Sequence, residues 1–143
     1  KKNGGKFIMT DPKHTTGTDR VYEASKKLDL EDADFIINVQ GDEPMIDPLD
    51  IENLNKVSKE NNLDISTLAY NIKTKQDYEN KNIVKVVTKS EISNKLTTEA
   101  LNFYREINEN SFSNIYHHFG IYSYNSCKVS AILITSDICI FQQ

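Results

Sequence analysis

The chain contains little cysteine and no tryptophan, and its apolar residues are scattered rather than gathered in long runs. The two cysteines, Cys127 and Cys139, stand twelve positions apart. No second cluster of cysteine or histidine accompanies them, so the spacing matches no zinc site and indicates reduced thiols in a cytosolic protein. No apolar run approaches the roughly 18 residues that a membrane-spanning helix needs, so we expect no membrane span.

Arginine is also scarce, with Arg20 and Arg105 standing against fifteen lysines. Guanidinium groups are the usual clamps for carboxylates and phosphates, so each arginine is either a ligand-binding group or one half of a surface ion pair. Glycine is limited to five residues. Three of them, Gly17, Gly41 and Gly120, fall in the segments described below that contain candidate functional residues.

The charge balance is mildly acidic, with 21 Asp and Glu against 17 Lys and Arg and a net charge of −4. This balance argues against a dedicated nucleic-acid-binding protein, which needs a basic surface for phosphates. A local site can still bind an anionic small molecule. The 143 residues are 38% hydrophobic, enough for one folded domain. Residues 1–5 contain neither Met nor the apolar stretch of a signal peptide, so we expect a cytoplasmic protein whose sequence is entered part-way.

Hydrophobic periodicity predicts alternating strands and helices, with strands dominating the second half. The run over 35–40 is continuously apolar and β-branched, which favours a central, buried strand. The order of elements indicates an α/β sheet that is parallel at first and mixed later. The predicted helices cover 19–28, 47–60 and, as a short turn, 75–80. The predicted strands cover 6–10, 35–40, 64–72, 84–88, 96–103 and 118–124, with a turn near 93–94.

Polar residues follow the buried strand directly. Gln40, Asp42 and Glu43 are delivered to its carboxyl end, which is where open α/β sheets bind ligands. A carboxylate there is well placed to hold Mg²⁺, which takes one or two protein carboxylates and completes its shell with substrate oxygens. The alternative reading is an ordinary acidic turn between strand and helix.

Three further segments carry candidate binding groups. Hydroxyls and a glycine over 14–20 stand at the N-terminus of a predicted helix, where backbone N–H groups can bind an anion or a polar ring. The alternative is that these residues only cap the helix. Arg105 ends a predicted strand and suits a substrate carboxylate. His117 and His118 are adjacent on a strand, so they point to opposite faces and cannot both face one metal ion.

In this order, the segments resemble the cytidylyltransferases that activate acidic sugars, above all the 3-deoxy-manno-octulosonate (Kdo) cytidylyltransferase family. The resemblance covers roughly residues 6–125 and is carried mainly by QGDEP and by HHFGIYSY. Residues 126–143 form a divergent tail outside the family pattern. The matching stretches are MT-x₃-HTTGTDR at 9–20, INVQGDEPMI at 37–46, NIVKVV at 82–87, EALNFYR at 99–105 and HHFGIYSY at 117–124.

The resemblance implies a Rossmann-like nucleotidyltransferase fold, a truncated three-layer α/β/α arrangement with a mixed sheet. It implies transfer of CMP from CTP to Kdo with release of pyrophosphate, a step of lipopolysaccharide biosynthesis that requires Mg²⁺. A homodimer is expected from the same resemblance. The implied site residues are Asp42 as the catalytic Mg²⁺ ligand, Thr16, Gly17 and Arg20 on the nucleotide side, and Gln40, Arg105, His118 and Tyr122 around the sugar, with Arg105 facing its carboxylate.

The chain departs from the family pattern at three places. The 143-residue sequence lacks three motifs of the family. They are the basic triphosphate loop IPARxxSTRxPGKPL, the E-x-LEQLR helix and the VDTxxDL segment with a second metal-binding aspartate. A frameshift is one hypothesis for the tail. Asn102, Tyr104 and His117 also replace the usual residues. We therefore expect residues 1–143 alone to be inactive and to expose an unpaired sheet edge. The alternatives are a CMP-sialic acid synthetase-like enzyme and a non-catalytic nucleotide- or sugar-binding fragment.

Overall fold

The computed structural model describes residues 5–30, 32–41, 46–92, 97–107, 113–128 and the backbone of 139–142. Asp42 and Glu43, the turn predicted near 93–94 and most of the divergent tail lie outside the described residues.

The predicted helices are confirmed, because their start signals are local. Helix α1 (Gly17–Lys27) begins after Thr16, whose side chain forms a capping box with Asp19. Helix α2 (Pro48–Glu60) has Asp47 as its N-cap and proline at its first position. The short helix α3 (Lys75–Glu79) begins after Thr74, whose side chain accepts a hydrogen bond from the N–H of Asp77.

Within the described ranges, six strands form one sheet in the spatial order β1-β5-β2-β6-β4-β3, with a further pairing between β5 and β3. Strand β5 lies between β1 and β2 and is antiparallel to both. Strand β6 is parallel to β2 and antiparallel to β4, so the mixed sheet is confirmed. The strands are β1 (Phe35–Val39), β2 (Ile65–Asn71), β3 (Lys85–Thr88), β4 (Thr98–Tyr104), β5 (Ile115–Asn125) and β6 (Cys139–Gln142).

Two predictions about the first strands are wrong. Residues 6–10 form no strand, and Phe7 and Met9 remain 67% and 77% exposed, because no described strand pairs with them. The run over 35–40 forms β1, but β1 is half-buried and pairs only with β5 among the described strands. It is an edge strand here rather than a central one. The parallel neighbours expected in the first half do not form, because β5 separates β1 from β2.

The core lies on both faces of β2, which produces three layers. Leu68 packs in one cluster with Leu54 of α2 and Ile121 of β5. Ile65 faces the other side, where it packs with Tyr124 and with Val21 of α1. Since successive side chains of a strand point to opposite faces, α1 and α2 lie on opposite sides of the sheet. The three-layer α/β/α prediction is confirmed. In the part of the chain that is described, no helix has the length and apolar character to cross a membrane.

Candidate functional site

A cavity of about 370 Å³ opens where β1 ends and where β3, β4 and β5 come together. It brings together four residues for which the family resemblance implies a place around a sugar: Gln40, Arg105, His118 and Tyr122. Residues 40 and 105 are far apart in the chain, so only the sheet can bring them together. The remaining lining residues are Asn82, Val84, Phe103, His117 and Gly120.

The strand pairing explains why these side chains meet. The backbone N–H of Gln40 donates to the carbonyl of Gly120 at 3.2 Å, which ties the end of β1 to β5. His118 and Tyr122 both lie on β5, with ring centroids 5.4 Å apart. The register of β5 against β2 shifts between Thr67 and Leu68, so the pairing is irregular beside the cavity. Such irregularities commonly re-aim side chains next to functional sites.

His118 is a buried, neutral imidazole. It is 8% exposed, and the ring of Phe103 contacts it edge-on at a centroid distance of 4.9 Å. Its Nε2 lies 3.1 Å from Oγ1 of Thr67. Burial lowers the pKa of His118 to about 4, with a smaller contribution from His117. His118 can therefore offer a ligand a hydrogen bond, but no positive charge, at neutral pH.

Tyr122 keeps its phenolic proton across the physiological range. Burial, and secondarily Tyr124, raise its pKa to about 12. The two tyrosine rings stack with centroids 6.1 Å apart, which fixes the plane of Tyr122. Its hydroxyl can therefore serve as a hydrogen-bond donor or acceptor toward a polar ligand.

Arg105 is held at the rim of the cavity by the backbone carbonyl of Lys81 and by the buried side chain of Lys85. Its Nη1 donates to the carbonyl of Lys81 at 3.3 Å. Lys85 is completely buried in β3, and its Nζ donates to the carbonyls of Asn80 and Arg105 at 2.5 and 2.9 Å. Burial lowers the pKa of Lys85, while Glu106 opposes that change. Lys85 thus joins the end of β4 to the segment that carries Asn82.

A second cavity of about 390 Å³ lies beside the first. Gln40 lines both cavities, and Gly17 and Arg20 line only the second among the predicted site residues. Arg20 also donates to Thr10 Oγ1 and to the carbonyls of Asp11 and His14, at 3.1, 3.2 and 3.3 Å. The full lining is Ile8, Thr10, Gly17, Arg20, Val21, Ala24, Asn38, Val39, Gln40 and Gly41.

Thr16 differs from its neighbours because its side chain is already engaged. Its Oγ1 accepts from the backbone N–H of Asp19 at 3.1 Å and lies 2.6 Å from the carboxylate of the same residue. These contacts match the helix-capping alternative for Thr16. Gly17 and Arg20 are the members of this segment that reach the second cavity.

Asp42, the predicted magnesium ligand, lies outside the described residues. Within the described ranges, no group of three or more His, Cys, Asp or Glu side chains is placed to hold a metal ion. Gly41 lines the second cavity, and Asp42 follows it directly in the chain. One carboxylate is enough for a Mg²⁺ site, because Mg²⁺ commonly takes one or two protein carboxylates and fills its shell with phosphate oxygens and water.

Several residues in and around the first cavity carry no functional signal in the sequence. Asn82 and Phe103 lie within two of the matching stretches, but neither carries a spacing that signals chemistry. Thr67 and Lys85, which contact His118 and Arg105, gave no signal because their partners are fixed only by strand pairing.

Comparison with known proteins gives concordant results. The family model described as cytidylyltransferase matches residues 1–139. The chain is 40% identical over 122 residues to the 3-deoxy-manno-octulosonate cytidylyltransferase of Bradyrhizobium sp. (strain ORS 278), covering 85% of the chain and 49% of that protein. It is 35% identical over 130 residues to the 8-amino-3,8-dideoxy-manno-octulosonate cytidylyltransferase of Shewanella woodyi, covering 89% of the chain and 52% of that protein.

A solved structure shares the fold. CMP:2-keto-3-deoxy-manno-octonic acid synthetase complexed with CTP superposes with a TM-score of 0.75 at 30% sequence identity, over 99% of this chain and 65% of the other. The chain spans about half the length of the curated relatives it matches.

Proposed function

The chain belongs to the cytidylyltransferase family, and from that premise we propose that the protein transfers CMP from CTP to the anomeric hydroxyl of Kdo. In this reaction the anomeric hydroxyl loses its proton as its oxygen bonds to the α-phosphorus, the bond from that phosphorus to the oxygen bridging to the β-phosphate breaks, and pyrophosphate leaves with the bridging oxygen. The proposal rests on one observation: a single cavity is lined by Gln40, Arg105, His118 and Tyr122.

The lining of the first cavity suits an acidic sugar. It contains one guanidinium, that of Arg105, and no carboxylate among its described residues. We assign Arg105 to the sugar carboxylate, because a planar guanidinium can donate two parallel hydrogen bonds to it. The neutral His118 and the protonated Tyr122 are suited to sugar hydroxyls, and the Gln40 amide can both donate and accept.

The second cavity is assigned to the nucleotide. Gln40 stands at the border of the two cavities, so a sugar in the first and a nucleotide in the second would approach each other beside it. Arg20 and Gly17 contribute a positive charge and an open backbone at the start of α1. Holding both reactants in this way raises the rate by orienting the nucleophile toward phosphorus.

Magnesium and Asp42 complete the proposed site. Bound Mg²⁺ would neutralise charge on the triphosphate. We assign Asp42 as its ligand, because this carboxylate directly follows Gly41 at the second cavity. In the chain Asp42 comes two positions after Gln40, which lines both cavities.

The test measures pyrophosphate release by the protein in its full natural length. Incubations contain CTP and Mg²⁺ with Kdo, with its 8-amino-8-deoxy analogue, with sialic acid or with no sugar. We expect pyrophosphate and CMP-Kdo in equal amounts with Kdo, and loss of both in Asp42→Asn. Turnover with sialic acid in place of Kdo would support the sialic acid alternative. CTP and Kdo binding without turnover would support the non-catalytic alternative.

A further inference from the structure

Thr67 of β2 contacts the imidazole of the proposed sugar site from within the core. Its side chain is 0% exposed. Three groups lie within hydrogen-bonding distance of its Oγ1: the carbonyl of Ile121 at 2.6 Å, the carbonyl of Phe119 at 3.2 Å and Nε2 of His118 at 3.1 Å.

The hydroxyl has one proton for these three neighbours. Both carbonyls can only accept, and the shortest contact is to Ile121, so the proton is directed to a carbonyl. The Thr67 oxygen can then only accept from His118, which requires the proton of the neutral imidazole to be on Nε2. In the opposite tautomer Nε2 carries no proton, so the Thr67 hydroxyl would have to donate to it. The Thr67 oxygen and the Ile121 carbonyl oxygen, 2.6 Å apart, would then be two acceptors with no proton between them.

The other ring nitrogen, Nδ1, is left with a lone pair. Among the described residues it has no hydrogen-bond partner, and it is not one of the fully buried side-chain atoms that lack one. His118 lines the first cavity, and Phe103 restrains its ring from the side. A lone pair at this position can accept a hydrogen bond from a hydroxyl of a bound sugar.

We propose that Thr67 is a positioning residue that holds His118 as the Nε2–H tautomer and so presents Nδ1 as an acceptor to a substrate hydroxyl. The part of this inference that concerns the substrate rests on the proposed function, whereas the tautomer does not. It follows that removing the Thr67 hydroxyl weakens sugar binding while leaving CTP binding unchanged.

The first measurement is the ¹⁵N NMR spectrum of histidine-labelled full-length protein at pH 7. The ring nitrogens of His118, assigned by their loss in His118→Gln, are expected to show a protonated Nε2 and an unprotonated Nδ1. Thr67→Ser should keep this pattern, and Thr67→Val should shift both nitrogens toward a mixture of tautomers. A protonated Nδ1 in the parent protein, or an unchanged spectrum in Thr67→Val, would overturn the proposal. The parent spectrum decides the tautomer even where Thr67→Val does not fold.

The second measurement is steady-state kinetics with Kdo and CTP. Thr67→Val should raise KM for the sugar about tenfold, the worth of one hydrogen bond, with little change in KM for CTP. Thr67→Ser should restore the parent value. Thr88→Val is the matched control, because Thr88 is also a buried strand threonine that donates to a carbonyl, in this case of Ser90. If the tautomer is as stated but Kdo is not a substrate, the proposed function fails and the positioning role stands. An equal rise of both KM values would contradict the substrate part of the proposal.

Discussion

At the scale of single residues, the proposed sugar site depends on Arg105 as a planar donor. Arg105→Lys keeps the charge but loses the two-pronged geometry that matches a carboxylate. We expect KM for Kdo to rise by about tenfold to a hundredfold with KM for CTP unchanged. The other arginine of the chain supplies the contrast, since Arg20→Lys should raise KM for CTP instead. Steady-state kinetics checks both, and a rise for the same substrate in both variants would contradict the assignment of two subsites.

Lys85 is the second residue whose role is testable by itself. Lys85→Met removes a buried ammonium and leaves the carbonyls of Asn80 and Arg105 without their donor. Losing these bonds should lower the free energy of unfolding by about 1–3 kcal/mol, measured by urea denaturation. Lys89→Met is the control. It breaks an exposed ion pair with Glu99 and should change stability by less than about 1 kcal/mol. Equal effects of the two variants would refute a special role for Lys85.

The sequence predicted part of the site for identifiable reasons. Arg105 and His118 carry groups whose chemistry is visible in the residue type, so each could be singled out before its neighbours were known, whereas Tyr122 was assigned only through the family resemblance. Thr67 and Lys85 act through backbone carbonyls on other strands. Since the register of those strands is a tertiary property, no local pattern in the sequence indicates their contacts.

At the scale of elements, local signals predicted the helices correctly. They did not predict that 6–10 forms no strand or that β1 is an edge strand. Capping by Thr16 and Asp47 depends on residues within one turn, and both helix starts were predicted within two residues. The burial of β1 depends instead on what lies beside it. Its apolar run fits a central strand, yet Val39 is 38% exposed, because β5 is its one neighbour in the described sheet.

The cap of α1 gives a prediction at this scale. Thr16→Ala removes the acceptor for the N–H of Asp19 and half of the capping box, so the free energy of unfolding should fall by about 1 kcal/mol. Thr15→Ala, one residue outside the cap, should have little effect. Chemical denaturation of both variants checks this. If Thr16→Ala leaves stability unchanged but raises KM for CTP, Thr16 is a nucleotide ligand rather than a cap.

At the scale of the whole molecule, the two cavities depend on the same sheet. Gln40 borders both, and β5 contributes His118 and Tyr122 to one of them while pairing with β1, β2 and β3. Strand β5 is thus the element on which both the core and the sugar site rest. A change that weakens the packing of β5 should therefore lower both the stability of the fold and the affinity for the sugar. Protonation of His118 is one such change, because His118 lies buried on β5.

Stability should fall as the solution becomes mildly acidic, because His118 is buried in its neutral form. Its pKa is about 4 in the folded protein against about 6.5 when unfolded, so below pH 6.5 the unfolded state binds a proton that the folded state excludes. Between pH 7 and pH 5 the free energy of unfolding should decrease by about 2 kcal/mol from this group. Glu23, whose pKa is lowered to about 2 from 4.5, contributes mainly below this window. Urea denaturation at intervals of pH should show the decrease in the parent protein and a much flatter profile in His118→Gln; parallel profiles would refute the assignment of the effect to His118.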